Sequence, residues 1–213
     1  MLIRVTLLLV LAAVCTATCA TAAPSGQPRS AAADRALAHV RGRPAEFNVT
    51  SADLDDVIVS SETVSKSSGV THVYLQQRYG GIDIANAVMT VNVARDGTVL
   101  AANGTFYGNL AGAANRPDKT LAAGDAIARA AKYVGVALAP AERRKIPAKR
   151  VYHPVTPESL RLAWQVEIEM PDGQHHWVLT IDAVSGDLLD KFDRVVSHAD
   201  PERVGDGGAP DHE

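Results

Sequence analysis

Two histidines one helical turn apart with a glutamate between them can point both imidazoles at one zinc ion and leave the carboxylate to activate water. No His-Glu-x-x-His occurs in the 213 residues, and His212-Glu213 ends the sequence without completing that pattern. The adjacent pair His175-His176 lies in a stretch with strand alternation. Successive side chains on a strand leave opposite faces, so these two rings do not converge on one ion. His39, His72, His153 and His198 have no second ligand at a useful spacing and read as packed or surface histidines. There is no Gly-x-Ser-x-Gly elbow and no phosphate loop, and Ser65, Ser67 and Ser68 sit in a loop-like run. Asp53, Asp55, Asp56, Glu167 and Glu169 read as solvated helix and strand faces. The residues therefore assign no catalytic, cofactor-binding or metal-binding position.

The elements that would position any site begin after an export signal. Arg4 supplies its positive charge, Val5 to Val14 its apolar run, and Ala20-Thr21-Ala22 a small-residue cleavage site, giving a signal peptide over residues 1–23. The apolar run falls short of the roughly 20 residues a membrane-spanning helix needs. Cys15 and Cys19 leave lipid attachment open as a competing fate, although Val14 and Thr18 before them are not the small residues such processing prefers. They are the only cysteines, so cleavage leaves a chain without thiol chemistry or disulfides, held by its apolar core. Losing Arg4 takes the 21 basic residues to 20 against 24 acidic ones, a balance that does not suit a nucleic-acid partner.

Residues 24–49 read as a linker followed by an alanine-rich helix over 31–41. Thr50 or Ser51 offers a helix cap with Asp53 in the first turn, before Val57-Ile58-Val59 changes to strand composition. From Gly69 the period is two, with Val73 and Leu75 on one face against His72, Tyr74 and Gln76. Gly80-Gly81 turns the chain, Ala87, Met89, Val91 and Val93 form the next inward face, and Arg95-Asp96-Gly97 turns it again into a strand over 99–107. Gly108 to Pro117 reads as the boundary between two halves, 50–110 and 115–195. The second half opens with a helix over 121–134 and a basic connector over 140–149. An alternating strand follows, with Leu160, Leu162, Trp164, Val166, Ile168 and Met170 inward. Trp177, Leu179 and Ile181 continue inward on the next strand, and Ser185-Gly186 turns into 187–192. Residues 196–213, rich in Gly, Asp and Pro, read as a disordered tail. The fold class is α+β, antiparallel sheets with helices on one face.

Gly69, His72, Tyr74, Gln76, Gln77, Gly81, Asn86, Asn92, Asp96 and Gly97 stand in an order that resembles the fungalysin and thermolysin propeptide (FTP) motif. The second half, from Leu160 to Ile168 with Trp164, then Trp177, Ile181-Asp182-Ala183 and Ser185-Gly186-Asp187, looks like the PepSY-type module that follows that motif in fungalysin-like metalloproteases. The resemblance implies a secreted pro-region, extracellular or held in a periplasm or at a cell surface. It would fold first, help an attached zinc peptidase to fold and keep it inactive, with a cystatin-like second module. Zinc would belong to the partner peptidase, whose domain would follow Val195, and no cofactor or catalytic role passes to this chain. The expected partner is a secreted zinc metalloprotease catalytic domain. Inhibition needs a surface of roughly 800 Å² per partner, which an edge strand supplies by strand addition. The candidate contact segment is Lys191, Phe192, Asp193, Arg194, Val195, Val196 and Ser197, with His198 just beyond; the competing reading is a plain linker. A remnant of a full-length metalloendopeptidase and a free-standing extracellular binding module are the alternative functions.

Overall fold

The computed structural model describes residues 29–170 and 173–195. The expected signal peptide, Cys15 and Cys19, the tail from Val196 and the residues Ser197, His198 and His212 lie outside the described residues.

Helix α1 (Ala31–Arg41) starts where Ser30 Oγ accepts from the Ala33 N–H at 3.0 Å, with Asp34 in the first turn and His39 and Arg41 in the last, charges that match the helix dipole. Ala33, Ala36, Leu37 and Val40 recur at helical spacing and form its buried stripe. They pack on strands β2 (Thr71–Tyr79) and β3 (Ile82–Val93), against Val73, Leu75, Met89, Val91 and Val93, the inward residues the alternation picks out. Strand β1 (Ile58–Val64) flanks β2, and β4 (Val99–Gly104) returns along β3 after the turn at Gly97.

A second group of strands forms an antiparallel meander: β5 (Ala148–Thr156), β6 (Ser159–Glu169), β7 (His176–Asp182) and β8 (Leu188–Asp193). The two groups belong to one eight-stranded sheet of order β1-β2-β3-β5-β6-β7-β8, with β4 also on β3. Strand β3 makes this possible by sharing one edge between two partners. Its C-terminal part, Met89 to Val93, pairs with β4, and its start, Asp83 and Ile84, pairs in parallel with Val151 and Tyr152 of β5. The switch sits at Asn86, a residue of positive φ (60°) that interrupts the strand. The sequence led us to expect antiparallel pairing throughout; this short parallel junction is the exception. The expected connector over 140–149 resolves into a short helix α4 (Pro140–Arg143) and the beginning of β5.

The register carries the inward side from one half to the other. Ile84 lies opposite Tyr152, Tyr152 opposite Leu162, and Val166 opposite Leu179, and all of these are buried. Helices α1, α2 (Leu110–Ala113) and α3 (Ala123–Tyr133) each pack on that face: α2 over Ile84, Leu160 and Leu162, and α3 over Val166, Ile168, Leu179 and Ile181. The mixed α+β class with helices on one face is what the residue pattern predicts. The segment 110–116, between the two strand groups, is tied in: Leu110 is buried, Asn115 N–H donates to Leu160 O at 3.0 Å, and Leu162 N–H donates to Asn115 Oδ1 at 2.7 Å.

Candidate functional site

The motif residues of the first half are placed to shape the backbone. Gly81 has positive φ (78°), and its N–H donates to Asp56 Oδ2 at 2.7 Å. Gly69 also has positive φ, and a Cβ there would collide with the Arg95 side chain. Asp96 Oδ1 accepts from Thr98 N–H at 2.9 Å beside Gly97, which closes the β3–β4 hairpin. His72 Nδ1 and Asn92 Oδ1 meet at 2.7 Å across β2 and β3, and Tyr74 faces Thr90 in the same register. The Gln76 amide reaches the carbonyls of Gln77, Ile84 and Ala87 at 2.8, 2.8 and 3.2 Å and so ties together the interruption at Asn86.

Gln77 and Asp53 form a buried polar hub. Gln77 is fully buried; it donates to Tyr107 O at 2.8 Å and Asp53 O at 3.2 Å and accepts from Tyr107 N–H at 2.8 Å. The Asp53 carboxylate accepts from Thr50 N–H (2.9 Å), Thr50 Oγ1 (2.7 Å), Asn109 N–H (3.1 Å) and Leu110 N–H (2.8 Å). Burial alone would push its titration up, but these four donors outweigh it and hold the carboxyl below the usual range. The expectation that Asp53 is a solvated carboxylate is thus corrected: it is 4% exposed, in a single 3₁₀ turn (Ala52–Leu54) that stands where a short helix was expected. Gln77 could have been found from phase, since it continues the inward alternation of Val73 and Leu75. Asp53 carried no such signal, because two of its partners lie more than fifty residues downstream.

At the far edge of the sheet, Lys191, Phe192 and Asp193 belong to β8, and Arg194 and Val195 follow it. Val196 and Ser197 lie outside the described residues. Strand β8 pairs only with β7, so its other backbone edge is open among the described residues. Phe192 and Val195 are exposed apolar side chains on this edge. The segment is firmly attached on its inner side. Asp193 Oδ2 lies 2.5 Å from His175 Nδ1, and its Oδ1 accepts from the N–H groups of His176 (2.9 Å) and Val195 (3.0 Å). The hydrogen bond from His175 leads these in lowering the carboxyl to about 2. Lys191 Nζ sits 3.9 Å over the Trp177 ring, which also stacks on His175 at 5.1 Å. As the strand period requires, His176 turns the other way, its Nε2 3.4 Å from Glu167, and Arg194 reaches the same carboxylate at 2.8 Å. Glu167 is therefore paired, not simply a solvated strand carboxylate. Trp164 lies elsewhere, under α3, its Nε1–H donating to Leu121 O at 3.0 Å. From β2 to β8 is five inter-strand steps, about 24 Å at ~4.8 Å each, so the structure does not bring the contact segment and the first-half motif together.

On the face without helices, Asp182 is fully buried, with Arg161 Nε 2.9 Å from its Oδ2 and the N–H groups of Val184 and Ser185 on Oδ1 at 2.8 and 2.9 Å. That arrangement fixes the turn into β8. A groove of about 450 Å³ between α3 and α4, lined by Ile127, Pro140, Arg143, Arg144, Ile146 and Ala148, gathers no acid–base pair. Among the described residues no three His, Cys, Asp or Glu side chains are grouped to hold a metal ion, and no helix is long and apolar enough to cross a membrane.

Comparison with known proteins places residues 55–106 in the Fungalysin/Thermolysin Propeptide Motif. Similarity to whole proteins runs well past that motif. The chain is 28% identical over 142 residues to extracellular metalloproteinase MEP of Leptosphaeria maculans, covering 56% of this chain and 22% of that protein. It is 32% identical over 159 residues to extracellular metalloproteinase 5 of Arthroderma otae, covering 62% of this chain and 24% of that protein. The chain thus spans between a fifth and a quarter of the length of these relatives. Among solved structures, the Bacillus megaterium YpeB C-terminal domain superposes on 79% of this chain and 66% of its own, at 9% identity and a TM-score of 0.40.

Proposed function

We propose that this chain acts as a pro-region: a secreted inhibitor and folding helper of a fungalysin- or thermolysin-like zinc peptidase, without catalysis of its own. The observation that carries this reading is the propeptide motif at 55–106, within a longer similarity to extracellular metalloproteinases that spans only a fifth to a quarter of their length. The absence of His-Glu-x-x-His from the sequence agrees with it. Zinc then belongs to the peptidase, and this chain acts by surface contact.

The open edge of β8 is the contact surface we assign. Its inner side is paired with β7 and its outer side with no described strand; the Lys191 and Val195 N–H groups are held by the Asp190 and Asp193 carboxylates at 2.9 and 3.0 Å, bonds that a strand in a protease cleft would replace with its own. Phe192 and Val195 add apolar area beside that ladder. The test is to titrate a secreted fungalysin-like peptidase with the chain from residue 24 onward, using a heat-denatured sample as control. Stoichiometric loss of peptidase activity, or a raised yield when the peptidase is refolded beside the chain, is the expected result. Unchanged activity together with unchanged refolding yield refutes the reading and leaves an extracellular binding module.

A further inference from the structure

The end of β8 is held by side chains whose charge changes near neutral pH. Beyond the last regular pair, Trp177 with Asp193, the backbone link is Arg194 N–H to His176 O at 2.9 Å. Every other tie shown there passes through the Asp193 carboxylate or through Glu167. Glu167 keeps a permanent cation, Arg194, at any pH. Asp193 does not: among the described residues its only cationic partner within 4 Å is His175.

The remaining charges near this end come from each neighbouring element. Glu167 and Glu169 project from β6, Lys191 from β8, Arg194 from its extension and His176 from β7, and Lys145 shares a hollow with Glu167, Glu169 and His176. With Asp193, the permanent charges are three acidic against three basic, so the two histidines decide the local balance. Imidazole is the side chain that gains or loses charge between pH 5 and 8.

We propose that His175 and Asp193 form a pH-responsive latch: with the imidazole protonated, the ion pair fixes residues 193–195 to β7, and with it neutral only a weaker hydrogen bond is left and the end of the strand opens more often. The sign is set by the pair itself. A charged imidazole adds ionic attraction to the hydrogen bond it gives the Asp193 carboxylate, so the contact is stronger with the ring protonated than with it neutral. An opened end no longer presents the regular edge that an added strand needs, so binding at this edge is stronger at mildly acidic pH than at alkaline pH. This last consequence rests on the propeptide reading above; the latch itself does not.

Native-state hydrogen exchange of the full chain at pH 5.5 and 8.0, corrected for intrinsic exchange, tests it at the Arg194 and Val195 amides with Val166 and Leu179 as core references. Opening at 194–195 should rise about two- to fivefold at the higher pH, the range a surface ion pair supports, while the references stay unchanged. In His175→Gln opening should stand at the higher level at both pH values, and in His175→Arg, which keeps the charge, the rise should vanish. Exchange without pH dependence in the native chain, or a dependence that survives His175→Gln, overturns the latch. Peptidase inhibition measured at the same two pH values separates the two ideas. A pH-dependent edge without inhibition sinks the propeptide reading alone, and a flat edge sinks the latch whatever the inhibition shows.

Discussion

Replacing Asp53 by alanine removes the acceptor for four donors at once, and the structure lets the loss be apportioned. Leu110 is 2% exposed, so its N–H has no water to turn to, whereas Thr50 and Asn109 lie at exposed positions where their groups rehydrate. An orphaned buried donor that bonded a carboxylate costs about 2–3 kcal/mol, and each of the three rehydrating donors loses about 0.5 kcal/mol, which together give about 4 kcal/mol. At a urea dependence of about 2.5 kcal/mol per molar, the unfolding midpoint should fall by about 1.5 M. Asp53→Asn, which keeps one acceptor oxygen, should lose about half as much. Urea titration should be followed by far-UV circular dichroism and by the fluorescence of Trp164 and Trp177, both of which stand in the second strand group, far from Asp53. Because one sheet joins the halves, both probes should report the same lowered midpoint. A fall of less than about 0.5 M, near 1 kcal/mol, would refute the hub. So would a fluorescence midpoint that stays put while the dichroism shifts. The depressed carboxyl adds a pH signature: its contribution is complete above the ordinary aspartate range and is lost as pH falls toward the folded value.

Two glycines of positive φ should respond very differently to alanine. At Gly104 the new Cβ lies 2.2 Å from the Val88 carbonyl oxygen and 2.6 Å from Met89 Cα, backbone that cannot yield, so a loss of at least about 3 kcal/mol is expected. At Gly186 the atoms met belong to the Arg129 side chain, which can swing away, leaving about 1 kcal/mol of backbone cost; equal losses in thermal melts would contradict this. His153 is held below the ordinary imidazole range by burial, partly opposed by Asp190, so its contribution is full above about pH 6.5 and is lost as pH falls through that value. His153→Gln should therefore shrink the stability difference between pH 7.5 and 5.5 in denaturant titrations, and an unchanged difference would count against the assignment. Phe192→Asp should weaken peptidase inhibition at least tenfold, with the melting temperature held within about 2 °C for a surface change; retained inhibition would move the contact off β8.

Where a feature depends on local chemistry the sequence is legible, and where it depends on distant pairing it is not. Ser30 with an alanine-rich run is enough to start α1, and Asp96-Gly97 is enough to turn β3 into β4. The alternation of β6 foretells Leu160, Leu162, Val166 and Ile168 as core, while Trp164, on the same phase, is only part-buried because it fills the seam below α3. Strand β5 is obscured by composition: Ala148 and Lys149 end the expected basic connector, Arg150, His153 and Pro154 show no apolar alternation, and only pairing with β3 and β6 makes a strand of them. The opposite facing of His175 and His176 follows from strand period alone. Their partners Asp193 and Glu167 do not, because each belongs to another strand and depends on register.

The placement of the motif bears on where recognition can reside. Gly69, Gly81, Asn86 and Gly97 set positive-φ turns or an interruption, and Gln76, Gln77, His72 and Asn92 bind neighbouring segments of this same half. None needs an outside partner to explain its presence. A motif built of such residues maintains a fold, and a surface that contacts a peptidase can vary without disturbing it. The β8 edge stands about 24 Å away across the sheet, and its geometry is fixed by β7, by Trp177 and by the turn that Asp182 and Arg161 hold. On the propeptide reading, choice among peptidases is therefore carried by the second strand group, while the first supplies the rigid platform to which β3 and β5 join it. Changes in the motif should reduce inhibition only as far as they unfold the chain, whereas changes on β8 should reduce it in chains that remain folded.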